Sequence, residues 1–230
     1  MSLTLSIRFL TGRFHATPWH HQVNEGMVEY PPSPWRILRA LVSAYYHLPD
    51  RPARDLMDRL VTRLANTLPA YRLPPHAIAH TRHYMPIRKD GKETTTKVLD
   101  TFVVFDRATT IPDNAPEIRV VWEGVKLNEE QRQLLERLCQ NLTYLGRAES
   151  WCEVSVVDDS PTRCNVKPLE NYEITSDNTT SVLAPLSSEA LEGFKVALGN
   201  VPRPKRAKWH IPQDILDALE VDVNDLHRQG

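Results

Sequence analysis

The chain reads as an α+β protein whose elements run β-α-β-β-α-β, with a smaller helical extension behind them. Three features predict this. Apolar and polar residues alternate with period two over residues 3–9 and again over 151–157, amphipathic stripes follow helix caps at Ser33 and Asn128, and short β-branched runs lie between.

Leu3, Leu5, Ile7 and Phe9 alternate with Thr4, Ser6 and Arg8, the pattern of a strand with one buried face. A polar, aromatic and proline-rich loop follows over 11–32, and loops of that length usually carry function. Ser33 then offers an N-cap oxygen, and Pro34 suits the first helical position, where a missing N–H costs nothing. Leu38, Leu41, Val42 and Tyr45 form the apolar stripe of a helix that Pro49 stops. Leu56, Leu60, Val61 and Leu64 repeat the stripe in a second helix over 53–68.

Residues 69–97 show no clean period, but the Asp90-Gly91 pair marks a tight turn, so this excursion is a candidate hairpin. Runs over 98–105 and 118–122 are rich in β-branched and aromatic residues, and a turn with Pro112, Asp113, Asn114 and Pro116 separates them. They are the expected second and third strands. Asn128 with Gln131 makes a capping box ahead of Leu134, Leu135, Leu138 and Leu142, and the run 151–157 closes the order. Helices on one face of a four-stranded antiparallel sheet in this order form the ferredoxin-like (RRM-like) arrangement, which fixes no function.

Residues 158–185 turn polar and linker-like, so the expected division is 1–158 as one domain and 159–230 as linker and small helical extension. That extension should hold helices over 188–198 and 213–220, around a basic stretch Arg203-Pro204-Lys205-Arg206-Ala207-Lys208-Trp209-His210.

A net charge of −1 excludes a protein that coats nucleic acid by bulk charge, so any such site must be a local patch. Cys139, Cys152 and Cys164 show no Cys-x-x-Cys spacing, which argues against a disulfide framework or a zinc cluster and fits a reducing cytoplasm. No apolar stretch approaches membrane-spanning length, so no membrane partner is expected. Walker, Gly-x-Gly-x-x-Gly, Gly-x-Ser-x-Gly and His-Glu-x-x-His motifs are absent, which removes support for nucleotide hydrolysis and ordinary acyl chemistry.

Two segments concentrate cations and rings. Residues 13–21 bring Arg13, His15, His20 and His21 together with Phe14 and Trp19, the mixture that unpaired RNA needs, since bases stack on rings while cations hold phosphates. Residues 72–97 set Arg72, Arg82, Arg88, Lys89, Lys92 and Lys97 against Asp90 and Glu93, with His76, His80 and His83 besides. His15, His83 and Tyr84 with Arg82 also form a candidate set for metal-free RNA cleavage, in which a histidine deprotonates the 2′-hydroxyl. The run 118–122 lacks the aromatic and glycine pattern of an RNA recognition motif, so loops rather than the open sheet face must bind.

Five motifs are more specific. Gly12-Arg13-Phe14-His15-Ala16-Thr17-Pro18-Trp19, Asn24-Glu25-Gly26, Pro31-Pro32-Ser33-Pro34-Trp35-Arg36, Thr81-Arg82-His83-Tyr84-Met85-Pro86 and Tyr144-Leu145-Gly146-Arg147-Ala148-Glu149-Ser150-Trp151 together resemble the type I-G (formerly I-U) CRISPR effector subunit that fuses Cas-five and Cas-six functions. The resemblance covers residues 3–157 well and the rest loosely. It implies a Cas-five-like part that caps the 5′ handle of the guide RNA (crRNA) and seats an adjacent Cas-seven-type backbone subunit, with the large subunit and target DNA as further candidate partners. A complete fusion is expected to be longer, so the chain resembles the front part, with the cleavage residues expected elsewhere.

On this reading the RNA-binding residues are Arg13, His15, Trp19, His20, His21, Arg36, His80, Arg82, His83, Tyr84, Arg88, Lys89, Lys92 and Arg147, with no catalytic residue, metal or cofactor. The alternative is a metal-independent CRISPR repeat endoribonuclease that processes pre-crRNA. Related repeat-associated folds place a Gly-rich loop where Leu145-Gly146-Arg147 falls, and this chain keeps a reduced version of it.

Overall fold

The structure is a computed structural model and describes residues 2–22, 24–106, 116–159, 161, 163–169, 179–199 and 211–221. Its strands are β1 (Ser2–Phe9), β2 (Arg13–Phe14), β3 (Ala70–Arg72), β4 (His76–Lys89), β5 (Lys92–Phe105), β6 (Glu117–Glu123) and β7 (Cys152–Val157). Its helices are α1 (Pro34–Tyr46), α2 (Arg54–Ala65), α3 (Glu129–Asn141), α4 (Ser188–Gly199) and α5 (Ile215–Glu220). The expected turn residues Pro112, Asp113 and Asn114, part of the linker (160, 162 and 170–178) and the basic stretch 203–210 lie outside the described residues.

The fold is mixed α+β with two antiparallel sheets. One has four strands in the order β3-β6-β1-β7, and the other has three in the order β2-β5-β4. Within the first, β1 is central and antiparallel to both β6 and β7, while β3 flanks β6. Its inner face presents Leu3, Leu5, Ile7 and Phe9 beside Ile118, Val120 and Trp122. Against these pack Leu38 and Leu41 of α1, Leu60 and Leu64 of α2 and Leu134, Leu135 and Leu138 of α3 in one continuous core.

Local signals explain the helix starts. Ser33 accepts from the Arg36 amide at α1, and Asn128 and Gln131 complete a reciprocal capping box at α3. The outer sheet face carries Ser6, Arg8, Glu117, Arg119 and Glu153, which are tied to one another and to Asp159. Arg8 lies opposite both Glu117 and Glu153 there, whereas the exposed Arg72 lies opposite Arg119 and makes no ion pair among the described residues.

One expected strand is in the wrong sheet. Residues 98–105 do not pair with 118–122; they are the rear half of β5, and the place beside β6 belongs to Ala70–Arg72. The reason is register. The turn at Asp90-Gly91, with φ of 52° and 78°, folds β5 back on β4 over its whole length, from Lys89↔Lys92 to His76↔Phe105. β3 is too short to reveal a period in sequence.

The C-terminal helix α5 docks on α1 and α2. Ile215, Leu216 and Leu219 join the main core, Arg54 pairs with Asp214 at 2.6 Å, and Arg39 donates to the carbonyls of Leu219 and Val221 at 2.8 and 2.6 Å. Those carbonyls end a helix, where a guanidinium satisfies acceptors left without intrahelical donors. Among the described residues no helix is long and apolar enough to cross a membrane.

Candidate nucleic-acid interface

β4 and β5 form a ribbon that leaves the body near Phe105 and runs to the Asp90-Gly91 turn, with every residue from 80 to 95 exposed. Side chains alternate between its two faces, so the register assigns each candidate to one of them. His80, Arg82, Tyr84 and Arg88 share a face with Lys97, which lies directly opposite Tyr84. Successive positions on that face are about 7 Å apart along a strand. His83, Lys89 and Lys92 share the other face with Met85 and Ile87.

The cations on this ribbon lack ion-pair partners among the described residues. Arg82, Arg88, Lys89, Lys92 and Lys97 make no ion pair with any described residue, whereas Arg8, Arg36, Arg54, Arg119, Arg132, Arg137 and Arg147 are all bound to carboxylates. Tyr84 stands between Arg82 and Arg88 with 67% of its surface exposed. A ring that size costs burial energy when left in water, and unneutralised cations beside it offer an anionic, ring-bearing ligand both contacts it needs.

At the ribbon root, on the His83 face, a second cluster forms. Asp100 accepts from Arg147 at 3.0 Å and lies 3.4 Å from the His83 ring, while Arg13 sits over the Phe102 ring at 5.6 Å. His15 is buried, its ring 6.4 Å from that of Phe102 and its Nδ1 2.6 Å from Glu149. Burial works to raise the Glu149 carboxyl, but hydrogen bonds from its own backbone amide and His15, with the charges of His15 and Arg147, hold it below the usual carboxylate range. The backbone clamps the same junction: Arg147 N donates to His15 O, and His15 N donates to the Ser150 hydroxyl, both at 2.8 Å.

The loop residues serve packing. Trp19 meets Trp35 edge-on at 5.8 Å, and the pair lines a cavity of about 210 Å³ with Leu183, Leu186, Ile215 and Leu219. His21 is held by Glu25 at 2.7 Å, and His20 is exposed beside Trp19. Arg36 grips the buried Glu29 through two nitrogens, at 2.7 and 3.0 Å, and donates to Thr17 O at 2.9 Å, which pins the long loop to α1.

Arg13, Arg82 and Arg147, three of the residues assigned to RNA, therefore do not share one surface. Arg13 and Arg147 gather at the ribbon root with His15 and His83, while Arg82 points from the opposite face. Strand alternation is the cause, since neighbours such as Arg82 and His83 must diverge. The same alternation splits the proposed cleavage set: Arg82 and Tyr84 face away from His83, and the His15 ring is buried against Glu149. His80 and His83 likewise diverge, and no group of three His, Cys, Asp or Glu that could hold a metal occurs among the described residues.

Asp100, Phe102 and Glu149 were missing from the sequence-derived site, and Lys97, counted in the basic segment, was not among the RNA-binding residues chosen from it. Lys97 was recoverable, because a hairpin closed at Asp90-Gly91 sets Lys97 against Tyr84 by counting outward from the turn. The other three meet their partners only through contacts distant in sequence.

No protein-family model matches the chain, and no curated protein does. Among solved structures, one described as "Crystal structure of a CRISPR protein from Archaeoglobus fulgidus" is distantly similar, with 19% sequence identity and a TM-score of 0.35. The alignment covers 69% of this chain and 63% of that one.

Proposed function

We propose that this chain is an RNA-binding subunit of a type I CRISPR effector complex that holds the repeat-derived 5′ handle of crRNA and seats a Cas-seven-type backbone subunit. The observation that carries the RNA-binding part is the exposed ribbon face on which Arg82, Arg88 and Lys97, all without ion pairs among the described residues, surround Tyr84. The ring stacks a base while the cations hold flanking phosphates. His80 extends this face, and Lys89, Lys92 and His83 act from the ribbon's tip and far side. The five ordered motifs support the CRISPR assignment, in the type I-G Cas-five/Cas-six family.

The antiparallel order β3-β6-β1-β7, with helices linking β1 to β3 and β6 to β7, supports a ferredoxin-like reading in which β4 and β5 are an inserted arm. A domain boundary near residue 158 and a cytoplasmic site of action belong to the same proposal. Arg13, His15, Trp19, Arg36 and Arg147 then shape and anchor the loops behind the arm, since each already has a protein partner.

Fluorescence anisotropy with a labelled single-stranded repeat RNA, titrated at several salt concentrations, tests the reading. The Arg82→Glu/Arg88→Glu variant should bind at least roughly tenfold more weakly, and the slope of log K against log salt should fall by about 0.7 for each phosphate that is no longer neutralised. Equal affinity and slope for wild type and variant would remove the arm from the site.

A further inference from the structure

The ribbon has two long edges that differ in how they meet solvent. On the β4 side, Pro86 lies opposite Thr95 and offers no N–H at mid-strand, a device that blocks strand addition. On the β5 side, β2 covers only Val103 and Val104, the Phe105 amide donates to Gly12 O at 3.0 Å, and the Leu99 amide is taken by the Asn24 side chain at 3.4 Å. From Lys92 to Val98 no described residue pairs with that edge. This span has no proline and three successive threonines, Thr94, Thr95 and Thr96.

The turn decides which backbone groups are free. A two-residue hairpin closes on a hydrogen-bonded pair, here Lys89↔Lys92, so even-numbered residues of β5 bond to β4. Glu93, Thr95 and Lys97 therefore direct their N–H and C=O outward, in line with the outward amides of Leu99 and Phe105. The open span is centred on Thr95, with Glu93 and Lys97 two residues to either side and on one face.

We propose that this edge pairs with the same edge of a second copy, antiparallel about a two-fold axis at Thr95. In that register Thr95 meets Thr95 of the second copy, and Glu93 meets its Lys97 twice over, each pair exchanging both backbone hydrogen bonds. Thr94 meets Thr96 alongside. Opposite charges directly across a sheet attract and like charges repel. A two-fold axis at Glu93 or at Lys97 would set like charges against each other, and an axis at Thr94 or Thr96 would leave them unopposed. The outcome is a four-stranded sheet that sets the two basic faces side by side.

Light scattering on nuclease-treated protein, from micromolar to near-millimolar concentration, tests this. Wild type should show a concentration-dependent dimer. Thr95→Pro, on an exposed strand where its amide bonds nothing among the described residues, should abolish it. Glu93→Lys should weaken it roughly tenfold or more by opposing lysines at two places, and Glu93→Lys/Lys97→Glu should restore it. A monomer at every concentration overturns the proposal, as does a dimer indifferent to Thr95→Pro and Glu93→Lys.

Discussion

Replacing Gly146 with alanine should destabilise the protein by about 3 kcal/mol, most of it from one junction. Gly146 has φ of 87°, where an L side chain costs about 1 kcal/mol. Its added methyl would also collide with His15 O and lie 3.1 Å from both Ala16 Cβ and the Phe14 ring, all in the buried chain at the end of β2 and just beyond it. That carbonyl cannot yield without pulling away from Arg147 N, and His15 N then leaves the Ser150 hydroxyl. Each broken hydrogen bond costs about 1 kcal/mol. Gly124 is the control: its φ is 75°, but nothing lies within 4 Å of an added Cβ, so Gly124→Ala should cost only about 1 kcal/mol. Urea denaturation followed by tryptophan fluorescence reads both variants, and equal m-values would license the comparison. Equal losses for the two would refute the reasoning, because the close approach at His15 would then hold nothing.

Four further outcomes are expected. Arg36→Met strands the Glu29 carboxylate, whose side chain is 3% exposed, and should cost about 3 kcal/mol by equilibrium denaturation, with Glu29→Gln/Arg36→Met recovering most of it. Burial pushes the Cys139 and Cys152 thiols up to about 12 and also raises that of the partly exposed Cys164, so an aromatic disulfide reagent at pH 8 should label Cys164 first, slowly in the native protein, and the other two only on denaturation. The Arg54 hydrogen bond holds the Asp214 carboxyl below its ordinary value despite partial burial. Its stabilisation is therefore complete above the unfolded value near 4 and lost as pH falls through the lower folded one; Asp214→Asn should flatten the acid limb of a urea-midpoint profile. Tyr84→Ala should weaken RNA binding by about 1–3 kcal/mol with the salt slope intact, whereas Lys97→Ala should lower the slope by about 0.7.

Much of the backbone was legible one segment at a time. Ser33 with Pro34 and Asn128 with Gln131 announce α1 and α3, because a cap is a bond between residues three apart. The alternation over residues 3–9 announces β1, and Asp90-Gly91 announces a hairpin. What failed was the assignment of partners. Residues 98–105 read equally well as a strand in either sheet, and β3 has too few residues to compete for notice. The candidate site fared in the same way: residue types on the ribbon pointed to nucleic acid, but Arg36, Trp19 and His15 looked available until Glu29, Trp35 and Glu149 came beside them.

By itself, the order of amino acids determined α1, α2, α3, β1 and the ribbon's turn, since those depend on contacts between near neighbours. It also determined the ribbon's two chemically distinct faces, once that turn sets the count. Only tertiary structure decided which strand stands beside β6, which cations are neutralised and which stay bare. Those outcomes depend on groups from distant parts of the chain meeting in space, and a carboxylate such as Asp100 carries no mark in the sequence of the arginine it will bind.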